Sequence, residues 1–262
     1  MSEKEKSNMG HDLSLLNDQV ADFTVKKEMV DMRNGSVVFI LGLPRSGTTL
    51  AHQVLASTGL FGYVSNLAAK FYRSPAFGAL LQKSFEIESK DLFKSDRFFL
   101  SDYGRANFFL GPSEFGYFWD RFFSGLEETH CLSESSLKKV DVERLRREIG
   151  DMMCVHQKCV ILKNNTWFNS QANFLEEVFP NSIFVLLNRE PFYVAQSILL
   201  KRFNDPEHKN WWSMKPSNYR DIQSMEDSVK QVANQVCALK NDLDRSLDKI
   251  VDKSKVVEID YE

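Results

Sequence analysis

Four cysteines are scattered through the sequence, at Cys131, Cys154, Cys159 and Cys237, and none stands in a C-x-x-C pair. That spacing excludes a zinc knuckle or a disulfide framework and leaves thiols that read as reduced packing residues. Long apolar runs are missing too. The longest, Val37 to Leu43 and Ile183 to Leu187, fall far short of the about 20 residues that a membrane-spanning helix needs. The polar start, MSEKEKSNMGHD, carries no secretion signal and reads as a flexible segment, taken to cover residues 1–35. Neither sign of charge dominates, since 33 Lys+Arg face 36 Asp+Glu for a formal net charge of -3. That balance gives no reason to expect nucleic acid or an anionic membrane as partner, so local basic groups must hold any anion. Repeats and low-complexity linkers are absent as well. What remains is a globular protein, expected in the cytoplasm and without a membrane span, with one α/β domain over residues 36–262.

The strongest pattern in the chain is Ser36–Leu60, SVVFILGLPRSGTTLAHQVLASTGL. Val37, Val38, Phe39, Ile40 and Leu41 form a continuous apolar run rich in β-branched residues, which suits a central parallel strand covered on both faces. Gly42 breaks the run, and GLPRSGTT follows to Thr49. The two glycines, Gly42 and Gly47, permit backbone conformations that turn successive N–H groups towards one anion. From Thr49 a helix is expected, with Leu50, Val54 and Leu55 on one side, so its unpaired amides and positive dipole end face the same anion. Arg45, Ser46, Gly47, Thr48 and Thr49 are therefore candidate anion-binding residues. The glycine spacing is that of a nucleotide-hydrolysing loop, GxxxxGK[ST], but Thr48 stands in the lysine position and the cation is Arg45. The cradle is kept, while the group most directly tied to cleaving a triphosphate is not. A kinase or nucleotide-hydrolysing protein is the alternative reading, with Asp260 as its candidate magnesium ligand.

Elsewhere the chain alternates helical and strand patterns. A weak amphipathic stretch over residues 11–33 suits one short helix, and Leu67 to Phe85 reads as helical with an interruption at Pro75. Between Leu92 and Phe123 aromatic side chains are dense, beginning with Phe93 and ending with Trp119, Phe122 and Phe123. They either wall an acceptor pocket or fill the core, and core packing is expected to account for most of them. Glu114 lies in their midst, in GPSEFGYFW. A carboxylate there is either a solvated loop residue or a desolvated functional acid.

Asp141 to Met153 reads as a helix with Arg144, Arg146 and Arg147 on its solvated face. Cys159 to Leu162 is a short strand ending at Lys163, and a helix from Ser170 to Phe179 follows. Ile183 to Leu187 is a second strongly apolar strand, closed by Asn188-Arg189-Glu190-Pro191, and Pro191 suits the first turn of the next helix. Arg189 and Ser197 stand eight residues apart, so a strand end and a second helical turn supply one cation and one hydroxyl that together can hold a second phosphate. Trp211 and Trp212 either gate a site or cover the core. Apolar residues from Ile222 to Leu243, with Ile250 in register, recur in three- and four-residue steps. They allow a homodimer contact through the 222–250 helix or, as the preferred reading, one helix lying on the sheet. Val256 to Ile259 is the last strand.

PRSGTT after a hydrophobic strand resembles the 5′-phosphosulfate loop of sulfotransferases that use 3′-phosphoadenosine 5′-phosphosulfate, especially tyrosylprotein, carbohydrate and bacterial members. FPNSIFVLLNREPFYVAQSIL is similar to the family's 3′-phosphate segment, which implies that Arg189 and Ser197 bind the donor's 3′-phosphate. VILKNN extends the resemblance to Lys163, whose bland reading is a surface lysine and whose implied role is to stabilise the bridging oxygen as the bond to sulfur breaks. The resemblance covers roughly residues 36–262 and implies a P-loop NTPase-like sulfotransferase fold, a parallel central sheet flanked by helices. It also implies in-line sulfuryl transfer without a metal, to a hydroxyl or amine of a small-molecule, lipid or carbohydrate acceptor. Arg45 then both binds the donor and stabilises charge on the moving group.

Two departures from the family pattern stand out. Asn66 occupies the distance at which the tyrosylprotein enzymes place a catalytic glutamate, so Glu114 becomes the nominated base and His130 the second choice. His52 and His156 read as packing or surface residues. Tyr261-Glu262 matches a pair that the family normally follows with further helices over the nucleotide, so the domain is expected to lack that C-terminal part. A non-catalytic interaction protein on the same fold is the third reading.

Overall fold

A computed structural model of the chain describes residues 3–23, 35–88 and 96–261. Phe93, the 24–33 part of the weak amphipathic stretch and Glu262 lie outside the described residues. The strands are β1 (Val37–Gly42), β2 (Gly62–Tyr63), β3 (Ser101–Asp102), β4 (Arg105–Ala106), β5 (Val160–Lys163), β6 (Ile183–Asn188) and β7 (Val256–Asp260). The helices in the first half are α1 (Glu3–Val20), α2 (Thr48–Ser57), α3 (Pro75–Glu88), α4 (Gly116–Phe123) and α5 (Glu134–Leu137). Then come α6 (Val142–His156), α7 (Asn165–Phe168), α8 (Ala172–Val178), α9 (Pro191–Asn204), α10 (Tyr219–Gln223) and α11 (Ser228–Asp248).

Five strands form one parallel sheet in the order β2-β5-β1-β6-β7, and β3 and β4 make a separate antiparallel hairpin. The fold is the α/β class expected, with helices on both faces of the sheet. β1 is central because all six of its residues are buried. Its alternation feeds two layers at once. Val37, Phe39 and Leu41 enter the larger core with Trp119, Phe168 and Phe184, while Val38 and Ile40 enter a second one with Ala56, Tyr63 and Phe98. Phe39 lies edge-on to Phe168 at 5.1 Å and stacks on Phe184 at 5.6 Å. Burial of a side chain of this size stabilises by about 1.5–3 kcal/mol, which explains why this run dictates the middle of the sheet.

The same alternation positions the chemistry. β5 pairs with β1 so that Lys163 lies opposite Ile40, on the face of Ile161 and therefore beside α2. Pro75 begins α3 rather than bending it, as its fixed φ and missing N–H permit. Asp141 caps α6, its Oδ1 accepting from Arg144 N at 3.0 Å. α1 starts well before the weak pattern seen in the sequence. It is tied down by Asn17, whose Nδ2 donates to Lys70 O at 2.8 Å and whose Oδ1 accepts from Arg73 N at 3.1 Å. On α11 the stripe Val232, Val236, Leu239, Leu243 and Leu247 is buried within the chain, where the helix packs on α8, α9 and α10.

Candidate active site

The loop between β1 and α2 turns on its glycines. Gly42 leaves the strand at φ 146°, and the chain passes through Arg45 at φ 70° and Gly47 at φ 84°. A Cβ on Gly42 would stand 2.7 Å from Leu187 O, and one on Gly47 would stand 2.2 Å from the Tyr261 ring, so only glycine fits either place. Ser46 is fully buried. Its Oγ donates to Leu43 O at 2.7 Å and its N–H to the same oxygen at 3.2 Å, which closes the turn and aims that amide inward. No side chain among the described residues caps α2. Its leading amides, at Thr48, Thr49 and Leu50, therefore begin on a cleft of ≈ 470 Å³ that these residues line.

Arg45 joins the two motifs. Its Nε donates to Ser197 Oγ at 2.9 Å, and Arg189 Nη1 donates to Arg45 O at 2.7 Å. Arg189 reaches the same cleft, with its guanidinium 4.9 Å from the Tyr261 ring. Arg45, Arg105, Lys163, Arg189 and Lys201 line this cleft against the carboxylates of Asp102 and Glu114. A chain with a net charge of -3 thus concentrates positive charge at one point.

Lys163 is held on three sides. Its side chain is 5% exposed, its ammonium is paired with the Glu114 carboxylate, and Nζ donates to Thr49 Oγ1 at 3.2 Å. Glu114 is in turn placed by Asn164, whose Nδ2 donates to Glu114 O at 3.1 Å while its Oδ1 accepts from Trp167 N at the start of α7. Glu114 sits at the edge of the aromatic cluster, its side chain 39% exposed. The neighbouring Phe115, Phe118, Trp119 and Phe123 are core. Among the described aromatics of that stretch only Tyr103 lines the cleft, where it meets Trp212 edge-on at 6.3 Å. Trp211 packs on Tyr219 instead, at 4.7 Å.

Burial lowers the pKa of three histidines, His52, His130 and His156. Burial first, and then the Lys163 charge, push the His52 pKa down to about 3. Burial, followed by the charge on Lys215, lowers His130 to about 4. Its Nδ1 accepts from Lys215 N at 2.9 Å and its ring lies 5.0 Å from Trp167, away from the cleft lining. His156 is lowered to about 4 by burial and then by Lys83 and Lys158.

The Sulfotransferase family model matches residues 37–262. The chain belongs to the sulfotransferase family. Its fold is similar to that of sulfotransferase STF9 from Mycobacterium avium, at 15% identity and a TM-score of 0.51 over 86% of this chain. Two further similar structures are a sulfotransferase domain from the curacin biosynthetic pathway (17% identity, 86% of this chain and 67% of that one, TM-score 0.43) and one from the Synechococcus PCC 7002 olefin synthase (19%, 87% and 66%, 0.35). The chain spans 58% of the length of the Mycobacterium avium protein. No curated protein matches the sequence.

Several residues of this sulfotransferase site escaped the sequence reading. Asn169 brackets Gly42, accepting from its N–H at 3.2 Å and donating to its carbonyl at 2.8 Å, and Asn165 Nδ2 donates to the same carbonyl at 2.8 Å. Asn165 ends the KNN already noted at Lys163 to Asn165 and Asn169 follows it, but the pairing of β5 with β1 is what brings them under the loop. Tyr103 and Lys201 carry no motif. Only the folded chain sets them beside Arg45.

Proposed function

We propose that this sulfotransferase moves a sulfuryl group from 3′-phosphoadenosine 5′-phosphosulfate to a hydroxyl or amine of a small-molecule, lipid or carbohydrate acceptor. The observation that carries the reading is the junction at Arg45, where the glycine loop meets both Arg189 and Ser197 through hydrogen bonds of 2.7 and 2.9 Å. A glycine cradle, an uncapped helix start and a surplus of cations suit a polyanion that bears phosphate at two positions. Arg45, Gly47, Thr48 and Thr49 would hold its 5′ end, with Ser46, whose amide and hydroxyl both donate to Leu43 O, shaping the turn beneath them, and Arg189 with Ser197 would hold its 3′-phosphate. When bound, the donor supplies the sulfuryl group and leaves as adenosine 3′,5′-bisphosphate.

The chain's own groups divide the remaining tasks. Lys163 presents an ammonium at the loop, braced by Thr49, where charge on a leaving oxygen needs stabilising. Glu114, partly exposed and beside Lys163, is the carboxylate placed to take the acceptor's proton. Four free cysteines suit a reducing compartment, which supports a cytoplasmic setting.

Calorimetry with adenosine 3′,5′-bisphosphate tests the reading. Charge-assisted bonds contribute about 1.5–3 kcal/mol each, so Arg45→Ala and Arg189→Ala are each expected to weaken binding at least about tenfold. Unchanged affinity in both variants would refute it.

A further inference from the structure

The β3–β4 hairpin has so far supplied only the charges of Asp102 and Arg105, yet its tip also lies in the cleft. Its central residues, Tyr103 at φ 43° and Gly104 at φ 90°, both adopt left-handed backbone, as a two-residue type I′ turn requires. Asparagine or glycine is the residue such a turn favours at its first position, and a bulky tyrosine is disfavoured there. The contacts of Tyr103 supply a reason for its presence. Lys201 Nζ lies 4.2 Å and the Arg45 guanidinium 5.5 Å from the ring centre. Beside it, Gly104 O accepts the Thr49 hydroxyl proton at 2.8 Å. Thr49 has only that one proton to give, and its oxygen is already accepting from Lys163 at 3.2 Å. The hairpin tip therefore engages Arg45 and Thr49 directly, the groups that the 5′ end of the donor would need.

We propose that this hairpin is a latch, closed on the glycine loop in the absence of donor and displaced when a phosphate enters the loop and takes Thr49 and Arg45. The inference rests on the donor reading above, and adds that donor and hairpin compete for the same groups. A ligand facing such competition binds with its intrinsic affinity reduced by the fraction of molecules that are open.

Two measurements on the whole chain, both with adenosine 3′,5′-bisphosphate, test the latch. Tyr103 is 42% exposed, so Tyr103→Ala removes ring contacts without opening the core. By calorimetry the variant is expected to bind about 3- to 10-fold more tightly than the wild type. Amide hydrogen exchange across residues 101–106 of the wild-type chain is expected to speed up severalfold on adding the ligand. Equal or weaker binding by the folded variant, or exchange that is unchanged or slower, overturns the latch alone. Failure of the folded wild-type chain to bind removes the donor reading and the latch with it.

Discussion

At the scale of single residues, Lys163 pairs with Glu114, which joins the two groups proposed to stabilise the leaving oxygen and to take the acceptor's proton. Lys163 is nearly buried and Glu114 partly exposed, so the pair is asymmetric: the cation depends on the carboxylate more than the reverse. Glu114→Gln keeps the shape and removes the proposed base, and is expected to lower turnover about 10²-fold or more while adenosine 3′,5′-bisphosphate affinity stays within about threefold. Wild-type turnover would exclude Glu114 as base. Lys163→Met should cost about 10²–10³ in kcat, the usual loss on removing one group that stabilises developing charge. The buried histidines make a prediction about stability. His130 and His156 are held down to about 4 and His52 to about 3, below the ordinary value of about 6.5. As pH falls below that value the unfolded chain takes up protons that the folded chain refuses, so stability present at neutral pH is lost from about pH 6.5 down to about pH 4 for His130 and His156 and about pH 3 for His52. Thermal unfolding is expected to show Tm falling across this window and a shallower fall for His156→Gln, with a flat Tm contradicting the burial.

At the scale of elements, what could be read from the sequence was whatever a local pattern carries. The apolar run Val37 to Leu41 gave away β1 because burial on both faces removes polar alternation, and Asp141 and Pro191 mark the starts of α6 and α9 through capping and fixed φ. The β3–β4 hairpin was invisible because Tyr103-Gly104 is a weak turn signal, its conformation being supported by contacts with Lys201 and Arg45 that lie far off in sequence. For the same reason the loop's brace was missed. Asn165 and Asn169 resemble ordinary residues of a helix start until β5 pairs with β1 and sets them under Gly42. Glu114 and Lys163 were singled out separately, and their contact follows from the alternation of β5, which no motif states. The brace makes its own prediction. Asn169 is buried and satisfies both the N–H and the carbonyl of Gly42. Asn169→Ala takes this acceptor from the N–H, while Asn165 still serves the carbonyl, at a cost of about 1–3 kcal/mol, read as a lower midpoint in urea. Adenosine 3′,5′-bisphosphate affinity is expected to fall with it, because the loop loses its anchor. Loss of stability with donor-product affinity unchanged would show that the loop holds its shape unaided.

At the scale of the whole molecule, the distribution of charge sets how a polyanion arrives. The chain is negative overall, with a formal net charge of -3, so at long range an anion is repelled. Within the cleft five cations face two carboxylates, and the clustered field there exceeds the diffuse repulsion once the ligand comes within about a Debye length, roughly 8–10 Å at moderate salt. Screening weakens both fields, but with opposite effects on the association rate, since it removes the distant repulsion as well as the local attraction. If the cleft governs capture, the association rate of adenosine 3′,5′-bisphosphate falls as salt rises, by about tenfold or more between low and high ionic strength. The dissociation rate should change far less, because the contacts proposed for the ligand at Arg45 and Arg189 would be close-range and partly desolvated. Stopped-flow measurement over a salt series separates the cases. A rate that rises with salt would mean that overall charge controls the approach and that the cations at the glycine loop act only after contact.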